Sequence, residues 1–434
     1  MKSPVPISHC PIIVCLLFII FTAAAAHAEA PTTDTGTISG DVFGKKSKWL
    51  HAYLTLAEAY DDNIYNAEND AQSSWISVIS PGFQVMLPGS DQKAADIETA
   101  TTTPGGLVFG RFDDAGFRRF RAHLGYTPSF ELYSADSDEN TTTHSAQGSV
   151  QFNLKGGLSF DITSRYISAY DQNRANISTQ TDQFSSLLLN MTAGYAATEK
   201  FRFRVDYANF AVDYRQTDNG FRDRTDNAFS GFVFFKIRPK TALFVQYHHI
   251  DMEYDVQTDQ RDGAIEEYLL GMTWDLTAKT RGNLSAGFGT REYQDRDLDE
   301  AERITFQANL SYLFSPKTQI AINGYHRNEE SVYTDFGYTL TTGASVSYTQ
   351  TLTHKISFDL DFSYRRDDYK DRLDQTTGTG DAKEEFYTVS PSLSYAVNRW
   401  LIASMAYEHR DNSSDFEDNA YTGNTYMVKI TGSL

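Results

Sequence analysis

Ionisable and amide side chains recur at alternate positions in several stretches of the chain. Arg119, Arg121 and His123 form one such row, Asp161 and Arg165 another, and Arg202, Arg204 and Asp206 a third. Gln246 and His248 continue the pattern, and Lys355, Asp359, Asp361 and Arg365 complete it. Alternate residues of an extended backbone share one face, so each row is a polar strip rather than a set converging on one point. Two kinds of chemistry are open to such strips. Opposite charges on neighbouring strands can pair and hold a wall together, or the strip can guide a charged solute along it. Mixed signs favour pairing, and a paired wall can still line a pore.

Sharper chemistries find less support. The run DSDEN at Asp136 opens like a calcium loop, but its sixth position is Thr141 where Gly is required and its twelfth is Gln147 rather than Glu. The run DRDLDE at Asp295 fails in the same way, with Glu300 sixth and Phe306 twelfth. His248 and His249 are adjacent, so on a strand they face opposite sides and cannot share a metal. Glu408 and His409 are neighbours with the same difficulty, and no nucleophile pairs with them. No G-x-S-x-G element or glycine-rich phosphate loop is present. The expectation is a protein that is not an enzyme, with no metal and no cofactor.

The elements that position the strips are legible from their period. In KISFDLDFSYRRDD, from Lys355, apolar side chains occupy Ile356, Phe358, Leu360, Phe362 and Tyr364, with polar ones between. Similar rows run through Leu187, Leu189 and Met191, through Tyr268, Leu270 and Met272, and through Ile304, Phe306 and Ala308. These are strands with one apolar and one charged face. Their connections alternate strictly. Short turns such as KGG at Lys155, RPK at Arg238, SPK at Ser315 and VNR at Val397 alternate with long acidic loops such as ADSDENTTT at Ala135 and RNEESVYTD at Arg327. A soluble sandwich does not sort its connections in this way, whereas an up-and-down barrel in an outer membrane does. The expected fold is therefore all-β, a transmembrane antiparallel barrel of about 18 strands (16–20). Apolar faces would meet lipid, and the polar strips would line the lumen. Tyr60, Tyr133, Tyr170, Tyr214, Tyr254, Tyr293, Tyr369 and Tyr407 cluster near the acidic loops and read as an outer aromatic girdle.

The ends and the charge fit that reading. Lys2, an apolar run from Ile12 to Phe21 and the small-x-small element Ala26-His27-Ala28 form a secretory leader, residues 1–28, cut after Ala28. Both cysteines, Cys10 and Cys15, leave with it, so the exported chain has neither disulfide nor thiolate. Loss of Lys2 takes the formal charge from −19 to −20, which argues against nucleic acid. The expected partners are outer-membrane lipid and lipopolysaccharide. The final strand NTYMVKITGSL, ending at Leu434 where Phe is usual, is expected to meet the outer-membrane assembly machinery. Residues 29–47 read as a flexible periplasmic segment and 48–434 as the barrel. Residues 88–116 form a long insertion on the periplasmic side, favoured as disordered or as a hairpin over a lobe folded into the lumen.

The stretch AEAYDDNIYNAENDAQSSWISVISPGFQVML, Ala57 to Leu87, resembles the opening hairpin of the Putative beta-barrel porin 2 family. The matching residues are Tyr60, Asp61, Asp62, Asn63, Ile64 and Tyr65, then Ser80, Pro81 and Gly82. The resemblance implies a porin-like conduit in the cell outer membrane, and a link to exopolysaccharide export and its components. The alternative is a structural or adhesive barrel with a blocked lumen and partner-binding loops.

Overall fold

A computed structural model describes residues 49–88, 99, 103–106, 119–171, 182–215, 217–256, 261–277, 279–293, 301–334, 336–372, 382–417 and 419–433. The leader with Ala26 and Ala28, the segment 29–47, most of 88–116, the DRDLDE loop and Leu434 lie outside these residues.

Eighteen strands follow one another around a single sheet. They are β1 (Leu50–Asp61), β2 (Ser74–Leu87), β3 (Phe120–Tyr133), β4 (Thr141–Asn153), β5 (Leu158–Asp171) and β6 (Asp182–Ala196). Then come β7 (Phe201–Tyr214), β8 (Arg224–Arg238), β9 (Thr241–Tyr254), β10 (Gly263–Thr277), β11 (Thr280–Tyr293) and β12 (Ala301–Ser315). The series ends with β13 (Thr318–Glu330), β14 (Phe336–Thr353), β15 (Ile356–Arg372), β16 (Ala382–Ala396), β17 (Leu401–Ser414) and β18 (Tyr421–Ser433). Every strand pairs antiparallel with its sequence neighbours, and β1 pairs with β18 from Tyr53↔Ser433 to Asp61↔Thr425. The sheet is thus closed, and neither β1 nor β18 is left as a free edge strand.

Followed strand to strand, the register returns to β1 displaced by roughly 22 residues, which tilts the strands by roughly 40°. A barrel of this strand number is too wide for wall side chains to fill. Any narrowing must come from chain folded inward.

Burial separates the two faces. Leu270 is 64% exposed and Phe288 67%, with Ile304, Met405 and Val428 similarly open, and all lie on the apolar rows. Inward rows around the sheet carry buried polar groups such as Gln151, Thr163, Asn190, Ser285 and Ser357. Apolar side chains left in contact with the surroundings while polar ones are enclosed is the arrangement a bilayer requires. Gly82 of the Pro-Gly pair also has a local cause: a Cβ there would overlap the ring of Tyr53, its partner on β1.

Strands of 14 or 15 residues exceed the 9–11 that cross a hydrocarbon layer. Along β7 the outward row runs Phe201, Phe203, Val205, Tyr207 and then Asn209 and Asp213, while the inward row runs Arg202, Arg204, Asp206 and then Ala208, Phe210 and Val212. β9 changes at the same level, with His249, Asp251 and Glu253 outward and Ile250, Met252 and Tyr254 inward. Above that level the barrel obeys the rule of a water-soluble protein, apolar inside and polar outside. The outer third is a collar standing beyond the lipid belt.

Candidate functional site: a charged constriction in the outer lumen

The collar's inner wall carries a buried apolar cluster of Leu188, Ala208, Phe210, Val212, Ala228, Ile250, Met252 and Ile265, with Tyr214 and Tyr254 at its rim. A lumen open to water would leave these side chains wet. They are covered instead by chain that leaves the wall.

The first cover is the outer end of β13. Its pairing with β12 ends at Phe306↔His326, while its pairing with β14 continues to Glu330↔Tyr338. Freed from β12, residues 327–330 meet side chains of strands that are not their neighbours. Glu330 receives both terminal nitrogens of Arg291 from β11, one at 3.1 Å and the other closer, together with the hydroxyl of Tyr254 from β9. Arg303 of β12 donates to the Tyr338 hydroxyl at 2.6 Å. Beyond β13, one Arg261 nitrogen donates to the carbonyls of Tyr333 at 2.9 Å and Thr334 at 3.1 Å. RNEESVYTD is thus no free outer loop, because its charged half is drawn inside the collar.

The second cover is a piece of the stretch that joins β2 to β3. Thr103–Gly106 is buried inside the collar, away from the short-turn end where Leu87 and Phe120 lie. The Thr103 hydroxyl donates to Glu329 Oε1 at 2.8 Å and accepts from Arg327 at 3.1 Å. The Gly105 amide donates to Asp226 Oδ2 at 2.9 Å, and Arg224 Nε donates to Oδ1 of the same carboxylate at 3.1 Å. Gly105 and Gly106 have φ of +71° and +72°, and a Cβ on Gly106 would overlap the Phe210 ring. The insertion expected on the periplasmic side therefore sends this tetrapeptide into the lumen.

A third group caps the opposite wall. Tyr369 of β15 donates to Glu384 at 2.7 Å, Ser414 donates to the same carboxylate at 3.0 Å, and the Tyr333 ring packs on Tyr369 and Phe416. Burial, and next the Glu384 carboxylate, hold the Tyr333 phenol well above its ordinary value, so it remains a protonated donor.

The polar strips read from sequence distribute unevenly along this lumen. Arg204 pairs with Asp206 at 2.7 Å, and the guanidinium groups of Arg202 and Arg204 lie 5.3 and 5.0 Å from the rings of Phe234 and Phe232. His248 faces Glu267 across the ladder at 3.4 Å, while His249 faces Glu266 on the outer face. Arg365 pairs with Asp367 at 3.0 Å, Asp359 accepts from Thr349 at 2.9 Å, and Asp361 is exposed to the open middle of the lumen. Arg121, His123, Asp161, Arg165 and Gln246 share the inward face of their strands, and Arg121 and Asp161 flank Gln151 of β4 in one row of the ladder. Arg119 precedes β3 at the short-turn rim and is exposed. Lys355 lies in the turn before β15, and its ammonium reaches the Val397 carbonyl and the outward Tyr395 ring, which places it outside the lumen. Asp136 accepts from the Asp138 amide, a turn-capping role.

The expected tyrosine girdle needs correction. Tyr214, Tyr254 and Tyr369 are buried on the luminal face, because their sequence parity puts them with Phe210, Met252 and Asp367. Tyr60 and Tyr407 of the expected set do face outward, in cross-strand pairs with Trp75 and Tyr426, and Tyr247 with Tyr268 and Tyr364 with Tyr387 form further outward pairs, with centroids 5.0–5.3 Å apart. Sequence reasoning also missed Asp226, Arg224, Arg291, Glu329 and Glu330. The exchange of apolar residues from odd to even positions at Ala208 was the signal that could have led to them.

A closed barrel with charge inside, lipid-facing apolar rows outside and an inward-folded constriction is the geometry of a porin. The profile of the Putative beta-barrel porin 2 family matches residues 114–433. The chain belongs to that family. The match begins after the β1–β2 hairpin that carries the resemblance, so the TyrAspAspAsn element stands apart from it. Among solved structures, this chain is similar to Acinetobacter baumannii OccAB4 at 10% identity, covering 90% of this chain and 100% of that one, with a TM-score of 0.42. It is also similar to Pseudomonas aeruginosa OccK2 (OpdF), at 10% identity, 89% and 98% coverage and a TM-score of 0.44. The siderophore receptor PirA of Pseudomonas aeruginosa matches at 7% identity, 89% and 80% coverage and a TM-score of 0.41. No curated protein matches the chain.

Proposed function

We propose that this porin-family barrel is a passive outer-membrane channel for small polar solutes, narrowed at its outer mouth by the ion-paired collar. The observation that carries this reading is the division of faces: exposed Asp361 and the paired charges within, Leu270, Phe288 and Ile304 without. A conduit needs no catalytic centre, and the luminal groups pair with one another rather than presenting a nucleophile. Purified full-length protein in a planar bilayer should show discrete openings, and a barrel that inserts without openings would overturn the channel.

Passage of exopolysaccharide rests on the family resemblance alone. The filled collar favours small solutes, and loss of polymer export on deleting the gene would reverse that preference. A blocked structural or adhesive barrel is the second reading, favoured by the cover over Phe210 and Met252, and the same recording separates it. Export through the leader ending at Ala28, lipopolysaccharide contact at the collar and recognition of β18 by the assembly machinery complete the proposal. Surface labelling of collar residues such as Asp251 in intact cells tests the orientation.

A further inference from the structure

Thr103–Gly106 poses a question that the channel reading leaves open. The strands before and after it end at the short-turn mouth, and an ordinary connection there would stay at that mouth. Instead these four residues lie in the outer collar, and each contact is specific. Thr103 satisfies Glu329 and Arg327 with one hydroxyl, Gly105 turns its amide onto Asp226, and Gly106 leaves room for the Phe210 ring. Both glycines hold positive φ, and the Gly106 amide donates to the Thr103 carbonyl at 2.9 Å, so the tetrapeptide is a tight turn shaped to its seat.

The seat joins two parts of the lumen. Asp226 belongs to the wall at β8, whereas Arg327 and Glu329 belong to the end of β13 that has parted from β12 while staying paired with β14. The turn bridges them. Its polar contacts to Glu329, Arg327 and Asp226 are with charged side chains that water or a polar solute could serve equally well, and its glycines lie against the Phe210 ring and Ala228. A bridge of this kind can be released without breaking the barrel ladder.

We infer that Thr103–Gly106 is a built-in plug of the outer lumen, seated on Asp226 and the Arg327–Glu329 pair, and that its seating sets how far the channel opens. The inference rests on the channel reading and names the regulation of that same site. A side chain at position 106 removes the space occupied by Phe210 and so unseats the turn. The Thr103→Val replacement removes both hydroxyl contacts by a milder route.

The test is single-channel conductance of the full chain in planar bilayers. Gly106→Leu should raise conductance several-fold over the unmodified protein, and Thr103→Val should raise the frequency of a large-conductance state. Gly231→Leu, at a position with open space around its Cβ, should match the unmodified protein. Seating is checked separately with Thr103→Cys and Glu329→Cys in the exported protein, bridged by a short bifunctional thiol reagent. The bridged protein should hold the small conductance. A conducting barrel whose Gly106→Leu form has unchanged conductance overturns the plug and leaves the channel standing. Failure of the bridge to form overturns the plug as well. Silence of every form overturns the channel reading, and the plug's regulatory role falls with it.

Discussion

Arg291 and Glu330 form a two-point ion pair with both side chains buried, although β12 separates their strands. The pair can close only because β13 has left β12 beyond His326. It therefore fixes the inward fold of the β13 end, and Tyr254 adds a third donor to the same carboxylate. Removing one member of such a pair strands the other charge without water.

Arg291→Met should accordingly cost about 3–5 kcal/mol, while the double replacement Arg291→Met with Glu330→Met should cost much less than the sum of the two single ones. Denaturant unfolding from lipid vesicles measures all three. A double variant as unstable as the sum of the singles would mean that the two charges do not depend on each other.

The facing of the wall is tested at one depth by two adjacent residues of β10. Leu270 points to lipid and Leu269 shares the luminal row with Glu267. Leu270→Arg should cost about 2–4 kcal/mol of folding stability if it lies near the bilayer midplane. Leu269→Arg can place its guanidinium in the aqueous lumen and should cost far less. Folding titrations into vesicles that ranked the two in the opposite order would invert the barrel.

The contrast between these neighbours explains what was legible in the sequence. Period-two patterning is local, and the apolar rows at Leu187, Tyr268, Ile304 and Ile356 all fall within observed strands of an eighteen-stranded sheet. The constriction is not local. Thr103 meets Glu329 across 226 positions and Arg291 meets Glu330 across a strand, and no spacing rule selects such partners. Tyr214, Tyr254 and Tyr369 misled for a related reason. Tyrosine near a loop suits the headgroup level, but residue type does not set the face, and parity with Phe210 or Met252 does. Lys355 directly precedes a strand whose first residue is Ile356, and the turn aims it toward Val397 and Tyr395.

The TyrAspAspAsn element has a structural task at the seam where the sheet closes. Asp62 accepts the Asn424 amide at 2.7 Å and its side-chain nitrogen at 2.8 Å, while Asp61 accepts from Arg410 and Thr425. Asn63 links Ala67 to the Thr422 carbonyl. β1 and β18 are the last strands that can pair, so these bonds latch the closed ring at its outer end. Asp62→Ala should lower stability by roughly 1–3 kcal/mol through the donors it leaves unmet. The folded barrel's compact gel mobility should then be lost at a lower temperature, and an unchanged transition would remove the latch.

Ion selectivity should respond to charge that faces open lumen and ignore charge that does not. Asp361 is exposed on the luminal row of β15, whereas Asp359 on the same row is already held by Thr349. Asp361→Lys replaces a negative with a positive charge inside a low-dielectric wall, where fields act over longer distances than in bulk water. In a salt gradient the reversal potential should move toward the anion value, and more so at low ionic strength, where screening is weaker. Lys355→Glu makes a charge change of the same size, but at a turn directed toward Val397 and Tyr395. It should leave the reversal potential unchanged. A larger response at Lys355 than at Asp361 would place the ion path elsewhere than along the inner face of β15.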